Sequence, residues 1–443
     1  GKEALRTNTT ASNNTAVGKN ALNLNTTGSS NTSTGQDSLK ANTTGINNVA
    51  VGRLALQSNT TGQENVSFGM QTLQANSTGS ANTALGSYAL FTNTTATGNT
   101  AVGERSLRLN TTGNSNVAVG RYSLTANTTA SGNTAVGYNS LGYNTTGASN
   151  TAIGKEALDA NTTASFNVAI GQNSLTTNTT GASNTGLGTQ TLKLNTTGST
   201  NTAVGYRALI NNTTASNNTA VGNASLYTNT TGQENSSVGG NSMDSNTTGS
   251  YNIAMGYSSL KNNTTGQKNT AVGQRSMITA TTGNENTCVG REAGSALTTG
   301  SNNLFLGQNA GDASSPSETQ AGSNKIVLGN NNITHAYVKV DWTVTSDERD
   351  KMNFAAVPHG LSFVNDLNPI KFDFKKARDD ATPHGTTKYG FKAQEILALE
   401  GDNSIIVNNE NENTLGITNS HLIPVLVKAI QELSAKVTAL ENE

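Results

Sequence analysis

Asn195-Thr-Thr-Gly198-Ser-Thr-Asn201-Thr-Ala-Val-Gly205-Tyr-Arg-Ala-Leu209-Ile-Asn211 is one copy of a 17-residue unit that runs without a slip from Gly1 to about Gly311. Gly18 recurs at this interval to Gly307, Asn14 to Asn303 and Thr10 to Thr299. A register held this strictly means stacked copies of one small unit, not a globular domain.

Glycine belongs where a chain turns tightly or takes positive φ. The Gly18 column predicts one such turn per unit. The Gly28 column predicts a second, with Ala in its place at 11, 96, 130, 164 and 215. Two short extended segments lie between the turns, one from Asn14 to Val17 and one around Ala21 and Leu22. Four or five residues suit a strand and not a helix, and the β-branched Thr and Val agree. Neighbours along a strand face opposite ways. We therefore expect the large column (Val17, Thr34, Val51, Phe68, Leu85) to fill the interior of each coil. The small column (Ala16, Ser33, Ala50, Ser67) would then let another chain approach closely, as in an oligomer around a shared axis.

Asparagine is poor in strands, yet Asn8 recurs to Asn263 and Asn14 to Asn303. Identical amides stacked at strand spacing can bond along the stack and so satisfy groups that burial would leave unpaired. The Asn8-type sites also read as glycosylation acceptors; the ladder is the favoured reading. At ~4.8 Å per coil, about 18 coils give a rod of roughly 85 Å. The pattern decays at Ala280 and Leu297 in the Asn8 column and at Gly294 and Gly311 in the Leu22 column. Atypical end repeats of this kind cap a stack.

The fold class is thus mainly β: a parallel β-solenoid or β-roll of 17-residue coils over 1–311, trimeric, followed by a small α+β domain. Residues 312–345 form an insert and neck. Within them, 312–323 is turn-rich, 324–329 reads as one more coil, and 336–345 alternates like a strand. From Ser346 charges, aromatics and four of the five prolines appear, which places the α+β domain at 346–443. Residues 390–400 read as a helix. A heptad helix closes the chain over about 420–442, with Ile423, Ile430 and Val437 on one seam position and Leu426, Leu433 and Leu440 on the other. Pro424 suits its first turn. β-branched a and Leu d residues favour two strands, but three heptads weigh less than a long trimeric rod.

Charged residues are 12% of the chain and the net charge is −1, which gives no reason to expect nucleic acid or an anionic membrane as partner. The low charge and strict register also separate this chain from disordered sequences of low hydrophobicity. A single cysteine excludes an intrachain disulfide framework and a Cys-based zinc site. No apolar run approaches 18 residues, so no membrane insertion is expected. The chain opens mid-repeat at Gly1, and we expect further sequence upstream.

Three stretches resemble the endosialidase-type intramolecular chaperone that closes many bacteriophage tail fibres and spikes. They are Ser346-Asp-Glu-Arg-Asp-Lys351-Met-Asn353, Tyr389-Gly-Phe-Lys-Ala-Gln-Glu395 and His421-Leu-Ile-Pro-Val-Leu-Val-Lys-Ala-Ile-Gln-Glu-Leu433. The repeat is similar, more weakly, to head repeats of trimeric autotransporter adhesins, which are parallel β-rolls of three chains. The resemblance implies a homotrimer whose C-terminal domain templates the fibre and then cuts itself off. Ser346 and Lys351 match the family's serine and lysine, and the cut would fall between Thr345 and Ser346. The only enzymatic activity implied is one autoproteolytic turnover. The chemistry is sound without the family: serine needs a base, and lysine can serve once burial lowers its pKa. The intervening Asp-Glu-Arg-Asp would act the other way and raise it.

The leading reading is a phage tail fibre or spike, made in the host cytoplasm and carried on the virion. Its partners would be itself, virion tail proteins and a host receptor such as a glycan. A bacterial surface adhesin or extracellular filament with the same chaperone is the alternative. The free columns at 19 and 20 vary while their neighbours are fixed, which suits recognition; Arg121, Tyr122, Tyr206 and Arg207 are the candidate receptor-binding residues. Glu64, Glu234 and Glu285 lie too many coils apart for a glycosidase carboxylate pair, which argues against a depolymerase. Charged columns beside the threonines argue against an ice binder. Cys288 reads as a small packed residue. His384 and His421 have no partners at ligand spacing, and no phosphate loop is present; neither metal nor cofactor is expected.

Overall fold

The computed structural model describes the chain except residues 313–321, 341, 376–377, 379, 402–403, 410–413 and 443. It divides into two units. The first comprises Gly1–Asp312 together with a return through Leu328, and the second contains Gly329–Glu443.

The first unit is a parallel β-solenoid. Each coil gives one three-residue strand, from β1 (Thr15–Val17) to β18 (Leu304–Leu306), with β19 (Ile326–Leu328) as one more. Successive strands pair in parallel, and the partner of each residue up to β18 lies 17 residues on, as in Ala118 with Ala135. β19 joins after a 22-residue interval, with Phe305 opposite Val327. The extra coil expected at 324–329 is therefore present. Most of the expected insert at 312–323 lies outside the described residues.

The strand faces are the reverse of the expectation. The small column points inward: Ala50, Ala101 and Ala118 are fully buried. The large column points outward, with Phe68 56% exposed and Val17 and Leu85 also in solvent. Each coil is too narrow for two large residues, and the Leu22 column, fully buried from Leu22 to Leu260, already fills it. The end coils show the same constraint. Where Phe305 enters the small column, the Leu22 column becomes Gly294 and Gly311, and a Cβ on Gly311 would lie 2.6 Å from the Phe305 ring.

Nor is the Ala21–Leu22 segment a strand; it is a turn. Leu124 has φ +49° and Tyr122, two residues before it, φ +62°. The Tyr122 N–H reaches back to Glu104 O while the Leu124 N–H reaches forward to Ser140 O. The corner thus keeps its coil-to-coil pairing without extended backbone. Left-handed backbone excludes β-branched residues most strongly. This explains why the column holds Leu or Met and never Val or Ile.

Glycine is required in the Gly18 column. Gly120 has φ +129°, and a Cβ there would sit 2.5 Å from Gly137 O. The Gly28 column differs from expectation: it is not left-handed, so Ala can replace it, and its constraint is closeness to the next coil.

Both asparagine columns form ladders. Asn144 Nδ2 donates to Asn127 Oδ1 at 3.0 Å and to Gly147 O at 2.9 Å, while Asn161 Nδ2 donates to Asn144 Oδ1 at 2.8 Å. In the second column Asn116 Oδ1 accepts the Asn133 N–H at 3.0 Å. At the end of the first ladder Ala280 brings no donor, and Asn263 Oδ1 is buried without a partner.

The second unit packs α1 (Leu361–Asp366) against α3 (Leu422–Glu441). It adds an antiparallel hairpin of β20 (Ile370–Lys375) and β21 (Pro383–Gly390), and α2 (Ala393–Glu400). Phe363, Ile396, Ile406, Val407, Leu422 and Val425 form its core. The helices expected at 390–400 and 420–442 are present. The strand expected at 336–345 is not: no described residue of that run is in a strand. It finds no sheet edge to pair with, and Tyr337, Val340, Trp342 and Val344 stand in solvent.

Two stability outcomes follow from the coil. Asn144→Ala orphans an acceptor and a donor and should cost roughly 2–5 kcal/mol. Asn263→Ala strands fewer partners and should cost about 1–2 kcal/mol less; chemical denaturation of the two variants tests the order. Leu124→Ile keeps the volume but forces a β-branched residue to positive φ, costing about 1–3 kcal/mol. Leu124→Met should cost under about 1 kcal/mol, as Met243 and Met277 already occupy that column. Equal losses in thermal melts would contradict the backbone argument.

Candidate active site

Ser346 and Lys351 are brought together by one short turn. Asp347 caps a 3-10 helix over Glu348–Asp350 by accepting the Arg349 N–H at 2.9 Å. Lys351 N donates to Glu348 O at the exit. The five-residue spacing then folds back on itself. Lys351 Nζ lies 2.6 Å from Ser346 Oγ and 3.1 Å from Ser346 O.

The intervening acids do not all act on the lysine. Arg349 binds both oxygens of Asp347, at 3.0 and 2.6 Å. That hydrogen bonding holds the Asp347 carboxyl below the usual carboxylate range. Thr345, Ser346 and Lys351 are all exposed. In a single chain the pair therefore has the contact needed for proton transfer and stands in solvent.

The segment after Lys351 is tied to α3. Lys428 Nζ donates to Val357 O at 2.6 Å, and the Leu361 N–H donates to Glu432 Oε2 at 2.8 Å. The opposite side of α3 carries the heptad seam. Leu422, Val425 and Ala429 are buried, while Ile423, Leu426, Ile430, Leu433, Val437 and Leu440 are exposed, Ile430 at 66%.

A buried carboxylate that sequence reading missed closes the domain. Glu400 accepts the N–H groups of Ile405 and Ile406 through Oε1 at 2.8 and 2.7 Å, and that of Val407 through Oε2 at 3.0 Å. Its neighbours in sequence give no hint of this; only the return of the chain over the end of α2 does. His421 Nδ1 lies 2.8 Å from Ile405 O. His384 lines a cavity of about 520 Å3 with Lys375, Arg378 and Lys388. Cys288 is buried, and burial pushes its thiol up to about 12.

The four candidate receptor residues form two separate pairs. The Arg121 guanidinium lies 4.5 Å from the Tyr122 ring centre, and that of Arg207 4.9 Å from Tyr206. Arg207 lies five coils beyond Tyr122, ~24 Å along the rod. Arg105, one coil before Tyr122, was not among the candidates, yet its guanidinium lies on the same ring at 5.7 Å. Only the comparison of residues 17 apart reveals it.

Residues 346–402 match the family described as chaperone of endosialidase, a span that opens on Ser346 and ends just beyond α2. The His421–Leu433 stretch lies outside it. Comparison with curated proteins and comparison with solved structures each found no match. The chain is a fibre-like β-solenoid that carries a C-terminal segment of the endosialidase-chaperone type.

Glu400→Ala removes the acceptor of three backbone donors, two of them on buried residues, and should destabilise the second unit by roughly 2–4 kcal/mol. Hydrogen exchange of the Ile405–Val407 amides should rise before any change in the solenoid. Unchanged protection there would contradict the anchoring role.

Proposed function

We propose that the chain is the structural fibre of a phage tail, a homotrimer that binds a host receptor. Its C-terminal domain drives assembly and then cuts the chain between Thr345 and Ser346. The observation that carries this reading is apolar surface left open in three separate stretches. The Val17 column is buried in no coil, and Val17, Phe68 and Leu328 are more than half exposed. In the neck Trp342 is 78% exposed, and on α3 the whole heptad seam faces solvent. Apolar side chains left exposed in each of these stretches suit association. The long, regular register of the solenoid suits copies of the same chain lying side by side.

The reaction follows from the pair. Ser346 Oγ attacks the Thr345 carbonyl carbon while its proton passes to a neutral Lys351 amine. Lys351 returns the proton to the departing Ser346 nitrogen as the peptide bond breaks. The product is an ester from Thr345 to Ser346 Oγ, which water hydrolyses. Assembly gates this chemistry, since the pair is exposed in the single chain and a neighbouring subunit would enclose it and exclude water. Release of the domain then leaves a rod without its template, held by an unfolding barrier.

Wild-type protein should run as a trimer on native mass measurement and yield a fragment beginning at Ser346. Ser346→Ala and Lys351→Ala should give full-length trimers. Ile153→Asp, on the outward column, should leave the solenoid circular dichroism intact and weaken trimers. Full-length wild type after prolonged incubation would overturn the cleavage, and a native monomer would overturn the assembly.

A further inference from the structure

We infer that coils six to eight carry a binding site for an anionic glycan, one bearing carboxylate or phosphate groups. This rests on the receptor-binding reading above and names the ligand class. The solenoid is poor in charge and aromatics, yet here both concentrate. Tyr122 lies between Arg105 of the coil before and Arg121 beside it, with guanidinium carbons 5.7 and 4.5 Å from its ring centre. Both donate to its hydroxyl, Arg105 Nη1 at 3.3 Å and Arg121 Nη2 at 3.0 Å. Tyr138, one coil beyond Arg121, meets the Tyr122 ring edge-on at 6.2 Å and is itself exposed. The cluster spans Glu104 to Tyr138, ~10 Å along the rod.

Charge and unmet donors point the same way. Glu104 is the acid of the cluster, 3.1 Å from Arg121 Nε and 3.8 Å from Arg105 Nε. Arg105 and Arg121 set two cations against that one anion, and Arg108 lies three residues on from Arg105. The Nε groups of Arg105 and Arg108 are both covered and have no hydrogen-bond partner. Buried donors without acceptors are uncommon and need an explanation. A planar guanidinium held by stacking is pre-organised for a carboxylate or a phosphate. The Tyr138 face beside it suits the apolar face of a sugar ring. The other candidate pair lacks these features: Arg207 Nε is bonded to Gln190 at 2.9 Å, and one guanidinium lies on Tyr206.

The test uses the full chain in calorimetric titrations with three probes: an oligogalacturonate, a poly(glycerol phosphate) and a neutral dextran oligosaccharide. One or both anionic probes should bind, at least tenfold more tightly than dextran, and weaken as salt rises. Arg105→Gln with Arg108→Gln should lower that affinity at least tenfold with the circular dichroism unchanged; Arg207→Gln should leave it intact. The stronger anionic probe tells carboxylate from phosphate. No binding of either anion, equal binding of dextran, or equal loss with Arg207→Gln would overturn the site. Host-cell adsorption of the same variants separates the two claims. Adsorption lost by the double variant without anionic-glycan binding keeps the receptor reading and refutes this site. Glycan binding lost with adsorption unchanged keeps the site and refutes its receptor role.

Discussion

A buried amide is tolerated only when its donors and acceptor are all used. Seventeen residues enclose too little volume for an ordinary apolar core, so this solenoid gives part of its interior to asparagine. Between the ends of the column, each Asn8-type side chain binds the coil before, its own corner and the coil after. That requirement fixes the rest. The coils must stack without offset, because a slip would strand an amide. The corner must be tight, hence the left-handed glycine. The remaining interior admits one large side chain with small neighbours, Leu or Met in most coils and Phe305 where the Leu22 column turns to glycine, and the other large strand residues face the surface.

Much of this was legible in the sequence. A strict period of 17, short β-branched segments and recurring asparagine led to a parallel solenoid with amide ladders, and the lapses at Ala280, Leu297, Gly294 and Gly311 marked its end. The orientation of the strand was not legible. Alternation says that Ala16 and Val17 face opposite ways but not which is inside. Size suggested Val17, whereas Leu22, from the far side of the coil, had already taken the space. The left-handed backbone at Leu22 was hidden for a related reason, since leucine carries no αL signature; the missing Val and Ile were the available clue. At 336–345 alternation marked a strand, but a strand also needs an edge to pair with.

The candidate pair Ser346 and Lys351 was picked out through its motif, and the geometry adds what spacing could not. One capped turn folds a five-residue interval into a 2.6 Å contact. The acidic residues between the pair looked unfavourable in sequence, yet Arg349 takes up one of them. The helix that offers the seam also holds Val357 and Leu361, in the segment that runs on from Lys351. The place of Arg105 on the Tyr122 ring was hidden for a different reason. Arg105 is distant from Tyr122 along the chain and becomes its neighbour only at one full coil of separation.

The Asn8 ladder also has a direction. From Asn25 on, every Nδ2 of the column points to the coil before it, so each Oδ1 is the mould for a donor of the coil that follows. At Ala280 the arriving coil brings nothing to donate. The last mould, Asn263, is left unfilled, and the sequence itself sets the length of the ladder, like a zip that ends where its teeth stop.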